Sequence, residues 1–332
     1  MAINSFSNGN FINSLQAAGK NAVINGAFDN WQRGTSISLT SNVNTYAADR
    51  FVAVCTYSAG SSTVTRQTFT PGTAPVSGYE AQYFSRLTCG TTTTVWGYRQ
   101  RLEDVRTFAG QTVTLSFWIK ASAANATTAI QFAQVFGSGG SSTVTVDLTG
   151  PSITTSWQRF TVTAAIPSVS GKTIGTSSYL EMTVYSTTGI ATSLAVDTWG
   201  WQVEAGSTAT AFQTATGTIQ GELAACMRYY YKIQSGNNLP ISLAVGDSSN
   251  IALAAVVLPV PMRTGPTLDQ TTGTNYYYVR TNGSNNNFSS FTLEYGTSTV
   301  ITFYSGATIT GGATGRFFTN NASASLAFSA EL

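Results

Sequence analysis

Histidine is absent from these 332 residues, and charge is scarce: 16 Lys and Arg with 14 Asp and Glu make 9% of the chain, where roughly a quarter is usual. Without histidine the chain lacks the commonest general base, the commonest partner in a nucleophilic triad and the commonest transition-metal ligand. Paired carboxylates can still catalyse, as in glycoside hydrolysis. Here the acids sit singly among Thr and Ser. Glu103-Asp104 is the only adjacent pair, and neighbours on a strand point to opposite faces. The expectation is a protein that is not an enzyme.

Net charge is +2, with no run of Lys or Arg. A nucleic-acid binder carries a basic stripe that neutralises phosphates, so no nucleic-acid partner is expected. Only three cysteines are present, Cys55, Cys89 and Cys226. They are too few and too far apart for a disulfide scaffold or a zinc site. Three buried free thiols are expected, in keeping with folding in a reducing cytosol. A Cys55–Cys89 pair across neighbouring strands is the alternative. No apolar run approaches the roughly 18 residues of a membrane span. The opening residues Met1 to Ser5 are polar, unlike a signal peptide. Neither a membrane nor the secretory route is therefore expected. A near-neutral surface with so few charges favours association, which suggests a surface covered by further copies of the chain.

What the chain does hold is Thr, Ser, Asn, Gln, 31 Gly and 42% hydrophobic residues. Uncharged hydroxyl and β-branched side chains suit pleated sheets, Gly suits tight turns, and Ser, Thr and Asn compete with a helical backbone for hydrogen bonds. Residues 112–120 (TVTLSFWIK) alternate Val113, Leu115, Phe117 and Ile119 against polar or aromatic neighbours, the pattern of a half-buried strand. Residues 141–148, 157–165, 180–185 and 194–203 follow suit. Gly, Pro, Ser and Asn clusters separate them. Residues 219–232 (IQGELAACMRYYYK) place Leu223, Cys226, Met227 and Tyr230 at helical spacing, predicting one helix of about three turns. Residues 251–260 are apolar on both faces and predict a fully buried strand. Residues 282–287 predict a turn between strands at 275–280 and 288–295. The fold class is thus all-β: a jelly-roll β-sandwich followed by a short connecting helix and a second smaller β-sandwich domain. The expected boundaries are an N-terminal arm at 1–20, the jelly roll at 21–215, the helical connector at 216–235 and the C-terminal β-domain at 236–332.

One segment carries more than pattern. Residues 21–36 read NAVINGAFDNWQRGTS. Asn25-Gly26 is a tight-turn dipeptide that tolerates positive φ, Phe28 and Trp31 are apolar anchors, and Asp29 can bond local backbone or bind a cation. The stretch resembles the opening of a family of bacteriophage virion proteins, tail fibres and minor structural proteins, that begin N-x-x-x-NG-x-F-x-x-W-Q-R-G-T. Four further segments match in order: 46–50 (YAADR), 115–121 (LSFWIKA), 202–212 (QVEAGSTATAF) and 222–232 (ELAACMRYYYK). The closing FSAEL is similar to a common end of such proteins. The match covers 21–232 well and the C-terminal domain loosely.

The resemblance implies a jelly roll similar to carbohydrate-binding modules and a place on a phage particle, as a tail fibre, appendage or decoration subunit. It implies assembly in the host cytoplasm, a homotrimer, and contact with other virion proteins through the N-terminal arm. The alternative function is host attachment, with the C-terminal β-domain gripping a surface glycan. Tyr276, Tyr278 and Tyr295 are the candidate glycan-binding residues there, with Tyr277 between them. The six tryptophans of the first domain are weaker candidates, because aromatics in a sandwich are usually core. Carbohydrate-binding jelly rolls often hold a structural calcium, and Asn25, Asp29 and Asp197 are the positions that match. Calcium takes six to eight oxygens, so the competing reading leaves Asp29 and Asp197 as turn or solvated residues. No other cofactor is expected. A glycan-degrading tailspike would bring a regular solenoid period, which the sequence lacks.

Overall fold

The computed structural model describes residues 19–332 except 77–78, 124, 187–188, 190–192, 249 and 308. The expected docking arm falls almost wholly outside the described residues. The chain forms two compact units, the first running to Leu223 and the second from Ala224 to Glu331.

The first unit holds β1 (Ser36–Leu39), β2 (Thr45–Tyr46), β3 (Phe51–Tyr57), β4 (Ser62–Thr68), β5 (Tyr83–Cys89), β6 (Thr93–Glu103), β7 (Thr112–Ala121), β8 (Asn125–Val135), β9 (Val144–Ile153), β10 (Gln158–Ala165), β11 (Tyr179–Ser186) and β12 (Leu194–Ala205). They make two six-stranded antiparallel sheets, ordered β1-β4-β5-β12-β7-β10 and β2-β3-β6-β11-β8-β9. The inward faces share one core that includes Phe28, Phe51, Trp96, Phe117, Phe132 and Trp201. This is the β-sandwich the composition predicted.

Strand β9 alternates between half-buried and exposed residues along most of its length, as its sequence reads. Strand β7 does not. Thr114, Ser116 and Trp118, the expected outward set, are buried as well. The reason lies outside the sandwich. A second apolar cluster of Phe69, Phe84, Trp118, Trp199 and Phe212 covers that sheet's outer face. Local alternation cannot report a cover supplied by distant residues.

The helix α1 (Ile219–Met227) is shorter than predicted. Tyr230 fits its apolar spacing but opens a strand instead, because Tyr230, Tyr231 and Lys232 pair with Ser329, Phe328 and Ala327. A run of aromatic residues suits a sheet better than a helix.

The second unit holds β13 (Tyr230–Ser248), β14 (Ile251–Val257), β15 (Thr267–Gln270), β16 (Tyr277–Thr281), β17 (Ser284–Phe288), β18 (Thr292–Gly296), β19 (Val300–Ser305) and β20 (Thr314–Ser329). These form one hydrogen-bonded antiparallel sheet, β17-β16-β20-β13-β14-β19-β18, with β15 also on β20. Its core centres on Tyr277, Phe291, Phe303, Phe317 and Phe328. Two expectations change here. β14 is half-buried, not fully buried: Ala252 and Ala254 face the core while Val257 lies open. The predicted turn at 282–287 shrinks to Asn282-Gly283, both at positive φ, and 284–288 become β17. Such a two-residue turn matches the twist of a hairpin.

Candidate functional site

Four of the five segments that carried the family resemblance, all but 115–121, meet in one hydrogen-bonded lattice. Asn21 is buried; its Nδ2 donates to the Trp201 and Gln213 carbonyls at 2.9 and 2.8 Å, and its Oδ1 accepts from Val23 and Val203 N–H at 2.9 and 3.1 Å. Asn25 Nδ2 donates to the carbonyls of Asn30 and Asp49, and its Oδ1 accepts from Asn30 N–H. Gln32 donates to Asp49 through both its backbone and its side chain, at 2.9 and 2.8 Å. Gln202 and Glu204 bind each other and hold the 210–213 segment, with Thr210 donating to Glu204. Glu222 accepts from Asn25 N–H at 2.8 Å and from Thr216 N–H at 2.7 Å. These polar residues therefore tie the entry segment and the exit of β12 together. Their place in the sequence is explained by structure, with no ligand required.

Beside the lattice lies a cleft of about 510 Å³, lined by Asp29, Asn30, Tyr79, Gln82, Tyr83 and Glu222 among others. Asp29 follows the turn that Asn25 and Phe28 make at positive φ. It is half-buried and accepts no hydrogen bond from the described residues. Burial, and then the carboxylate of Glu222, push its pKa up to about 6. Near neutral pH that carboxyl is poised to donate as well as accept a hydrogen bond. Burial, followed by the charges of Asp29 and Glu222, raises the Tyr79 phenol above its ordinary range. The Tyr79 ring rests on Trp199 and Phe212 at 5.4 and 5.6 Å. Carboxyl, amide and phenol groups around a cleft of this size can hold a polyhydroxylated ligand by hydrogen bonds. Tyr79, Tyr83 and Glu222 were not singled out from sequence as lining a site. No local motif links them to Asp29; folding alone brings them together.

The three calcium candidates do not form one site. The Asn25 side chain is committed to Asn30 and Asp49. Asp197 on β12 lies opposite Arg86 on β5 and Lys120 on β7. Arg86 grips it with two hydrogen bonds of 2.6 and 2.8 Å, and Lys120 Nζ sits 3.7 Å away. Asp197 is therefore neither a solvated residue nor an open ligand. That fork holds Arg86 above its ordinary pKa. Only Asp29 keeps free oxygens. Among the described residues no group of three His, Cys, Asp or Glu is placed to hold a metal ion. Asn25, Asp29 and Asp197 are therefore not brought together as one calcium site.

The tyrosine candidates also separate. Tyr278 is buried, stacked on Phe318 at 4.9 Å with its hydroxyl on Asn238, and offers no face to a sugar. Tyr276 is half-buried, its ring covering Gly273. Tyr295 alone stands open, at 72% exposure. Trp31, Trp96, Trp118, Trp199 and Trp201 are buried and Trp157 is half-buried. Trp199 and Trp201 are two apart, a spacing that puts side chains on one face of a regular strand. They lie in different clusters because the register shifts between Trp199 and Gln202, at Gly200. Cys55 and Cys89 belong to opposite sheets, not neighbouring strands. Their sulfurs are 3.7 Å apart and both thiols are free and buried, as is Cys226.

Among the described residues no helix is long and apolar enough to cross a membrane. No family model and no curated protein matches the chain. Among solved structures, the chain is similar to the enzymatically active domain of tailspike protein 4 of bacteriophage CBA120, at 15% identity and a TM-score of 0.33. That match covers 56% of this chain and 21% of the tailspike domain. It is also similar to a CBM4 structure, at 19% identity over 55% of this chain and all of that one, with a TM-score of 0.28. A third similarity is to a carbohydrate-binding module of the β-sandwich superfamily, at 13% identity over 50% of this chain and 62% of that one, with a TM-score of 0.33.

Proposed function

We propose that this chain is a non-catalytic structural protein of a bacteriophage particle, a tail-fibre, appendage or decoration subunit assembled in the host cytoplasm as a homo-oligomer. One observation carries the reading. Segments that resemble a virion protein family in sequence order supply the lattice joining Asn21, Asn25, Asp49, Gln202 and Glu222. A shared pattern that encodes one joint of one sandwich is a pattern of common architecture, not of common turns. Labelling the protein on purified particles and imaging them tests the proposal. A label at a fixed position supports it, and particles that never carry the protein overturn it.

A second reading is favoured by the cleft: the same subunit binds a surface glycan through Asp29, Tyr79 and Tyr83 of the first unit. This moves the candidate contact away from the C-terminal tyrosines, of which Tyr278 is enclosed. Whole-cell or glycan-array binding by the full chain, lost in Asp29→Ala with Tyr83→Ala, would support it. Binding that survives both substitutions would send the site elsewhere.

A further inference from the structure

One face of the second unit's sheet is apolar and open to solvent. Leu243 and Val245 on β13 are 76% and 50% exposed, Val257 on β14 is 77%, and Val300 on β19 is 38%. Register makes them one surface with Leu253 and Tyr295. Val245 lies opposite Leu253, Val257 opposite Val300, and Tyr295 opposite Thr302. Directly opposed residues and residues two apart project to the same side of a sheet. The alternate residues Ala244, Ala252, Ala254, Ile301 and Phe303 fill the core, so this is the outer face. It spans four adjacent strands.

Charge on this face is sparse: exposed Asp247 lies at the end of β13, two residues beyond Val245 where the pairing with β14 shifts, and the other charges stand at the margins with opposite sign. On the β20 side Arg316 lies opposite Leu243, and Arg280 of β16 lies opposite Arg316. On the far side, exposed Glu294 sits where the register of β18 shifts. None of these three has an ion-pair partner among the described residues. Two arginines side by side on paired strands repel each other.

We propose that this face is the contact between copies of this chain, packed about an axis parallel to the strands. Such an axis brings the β20 margin of one copy against the β18 margin of the next. Arg280 and Arg316 then gain Glu294 of the neighbour as counter-charge, while the apolar side chains Leu243, Val245, Val257 and Val300 are removed from water. An axis across the strands would set Arg316 against its own copy. The charge pattern thus selects a second copy as occupant and fixes the direction of the contact. The inference rests on the homo-oligomer proposed above and gives it a surface.

Sedimentation equilibrium of the full chain over about a hundredfold range of concentration tests both. The expected result is a concentration-dependent oligomer, whose mass reads the number of copies. Leu243→Lys and Val257→Lys alter exposed side chains, so the circular dichroism spectrum stays unchanged while association weakens by about tenfold or more. Arg316→Glu or Glu294→Arg alone also weakens association, and the double exchange restores it. A wild-type oligomer untouched by Leu243→Lys overturns this face but leaves the oligomer standing. A wild-type chain that stays monomeric throughout overturns both. A double exchange that fails to restore association overturns the axis.

Discussion

An amide side chain has two N–H donors and two acceptor lone pairs, and Asn21 uses all four inside the protein. Replacing it strands two backbone carbonyls and two backbone N–H groups, each worth about 1–3 kcal/mol when left unpaired and buried. With partial relaxation, Asn21→Ala is expected to lose about 3–5 kcal/mol in urea unfolding. Asp29 acts in the opposite sense. Its folded pKa of about 6 stands above the ordinary 3.8, so the folded state binds the proton more tightly than the unfolded one. The resulting stability is fully present below pH 3.8 and is lost as pH rises through about 6. The full shift corresponds to about 3 kcal/mol, and partial solvent access reduces that to about 1–2. Asp29→Asn should therefore stabilise the protein above pH 7 by about 1–2 kcal/mol and flatten the stability profile between pH 4 and 6. An unaltered profile would place the carboxyl in solvent.

Two glycines show why elements hold the shape they do. Gly200 has φ +69°, and a Cβ there would lie 2.6 Å from the Trp118 ring. Gly200→Ala must either strain the backbone or move an indole packed on Trp199, and is expected to cost about 2–4 kcal/mol in thermal or urea unfolding. A cost below about 0.5 kcal/mol would show that the bulge relaxes freely. Gly26 was read from sequence as a residue for positive φ. It is Asn25 that takes positive φ, at 61°, while Gly26 is required by close approach, its added Cβ falling 2.2 Å from the Trp201 carbonyl. The same division runs through the fold. Alternation in β9, the turn at Asn282-Gly283 and the scarcity of helix were legible, because each depends on neighbours in the chain. The double burial of β7, the early end of α1 and the flip between Trp199 and Trp201 were not. They depend on Phe69, Phe212, β20 and a bulge, all remote or unsignalled. The cleft was half legible: Asp29 stood out beside its turn, but Tyr79 and Glu222 join it only through tertiary contact.

At the scale of the whole molecule, cohesion among the described residues comes from apolar cores and neutral hydrogen bonds, with few ion pairs. Two thiols, Cys55 and Cys89, report on the sandwich core, and the third, Cys226, on the buried side of α1. Cys55 and Cys89 lie in the first unit and Cys226 in the second, all free and buried. The two sandwich thiols are coupled: their hydrogen bond, with burial, holds Cys89 far above its ordinary pKa, while the same bond lowers Cys55 against the opposing effect of its burial. The thiolate is the reactive form, so Cys89 is protected by both its protonation and its burial, and Cys55 and Cys226 by their burial. Oxidants reach such buried thiols only through opening of the fold. The native protein should therefore give no rapid reaction with a thiol reagent at neutral pH, and three equivalents once denatured. In slow labelling without denaturant, the order of modification identifies what opens first: Cys226 ahead of Cys55 and Cys89 marks the helix α1, and the reverse marks the sandwich. Rapid labelling of Cys89 in the native state would mean that the two sheets part far more readily than a shared core of Phe51, Trp96, Phe117 and Trp201 allows.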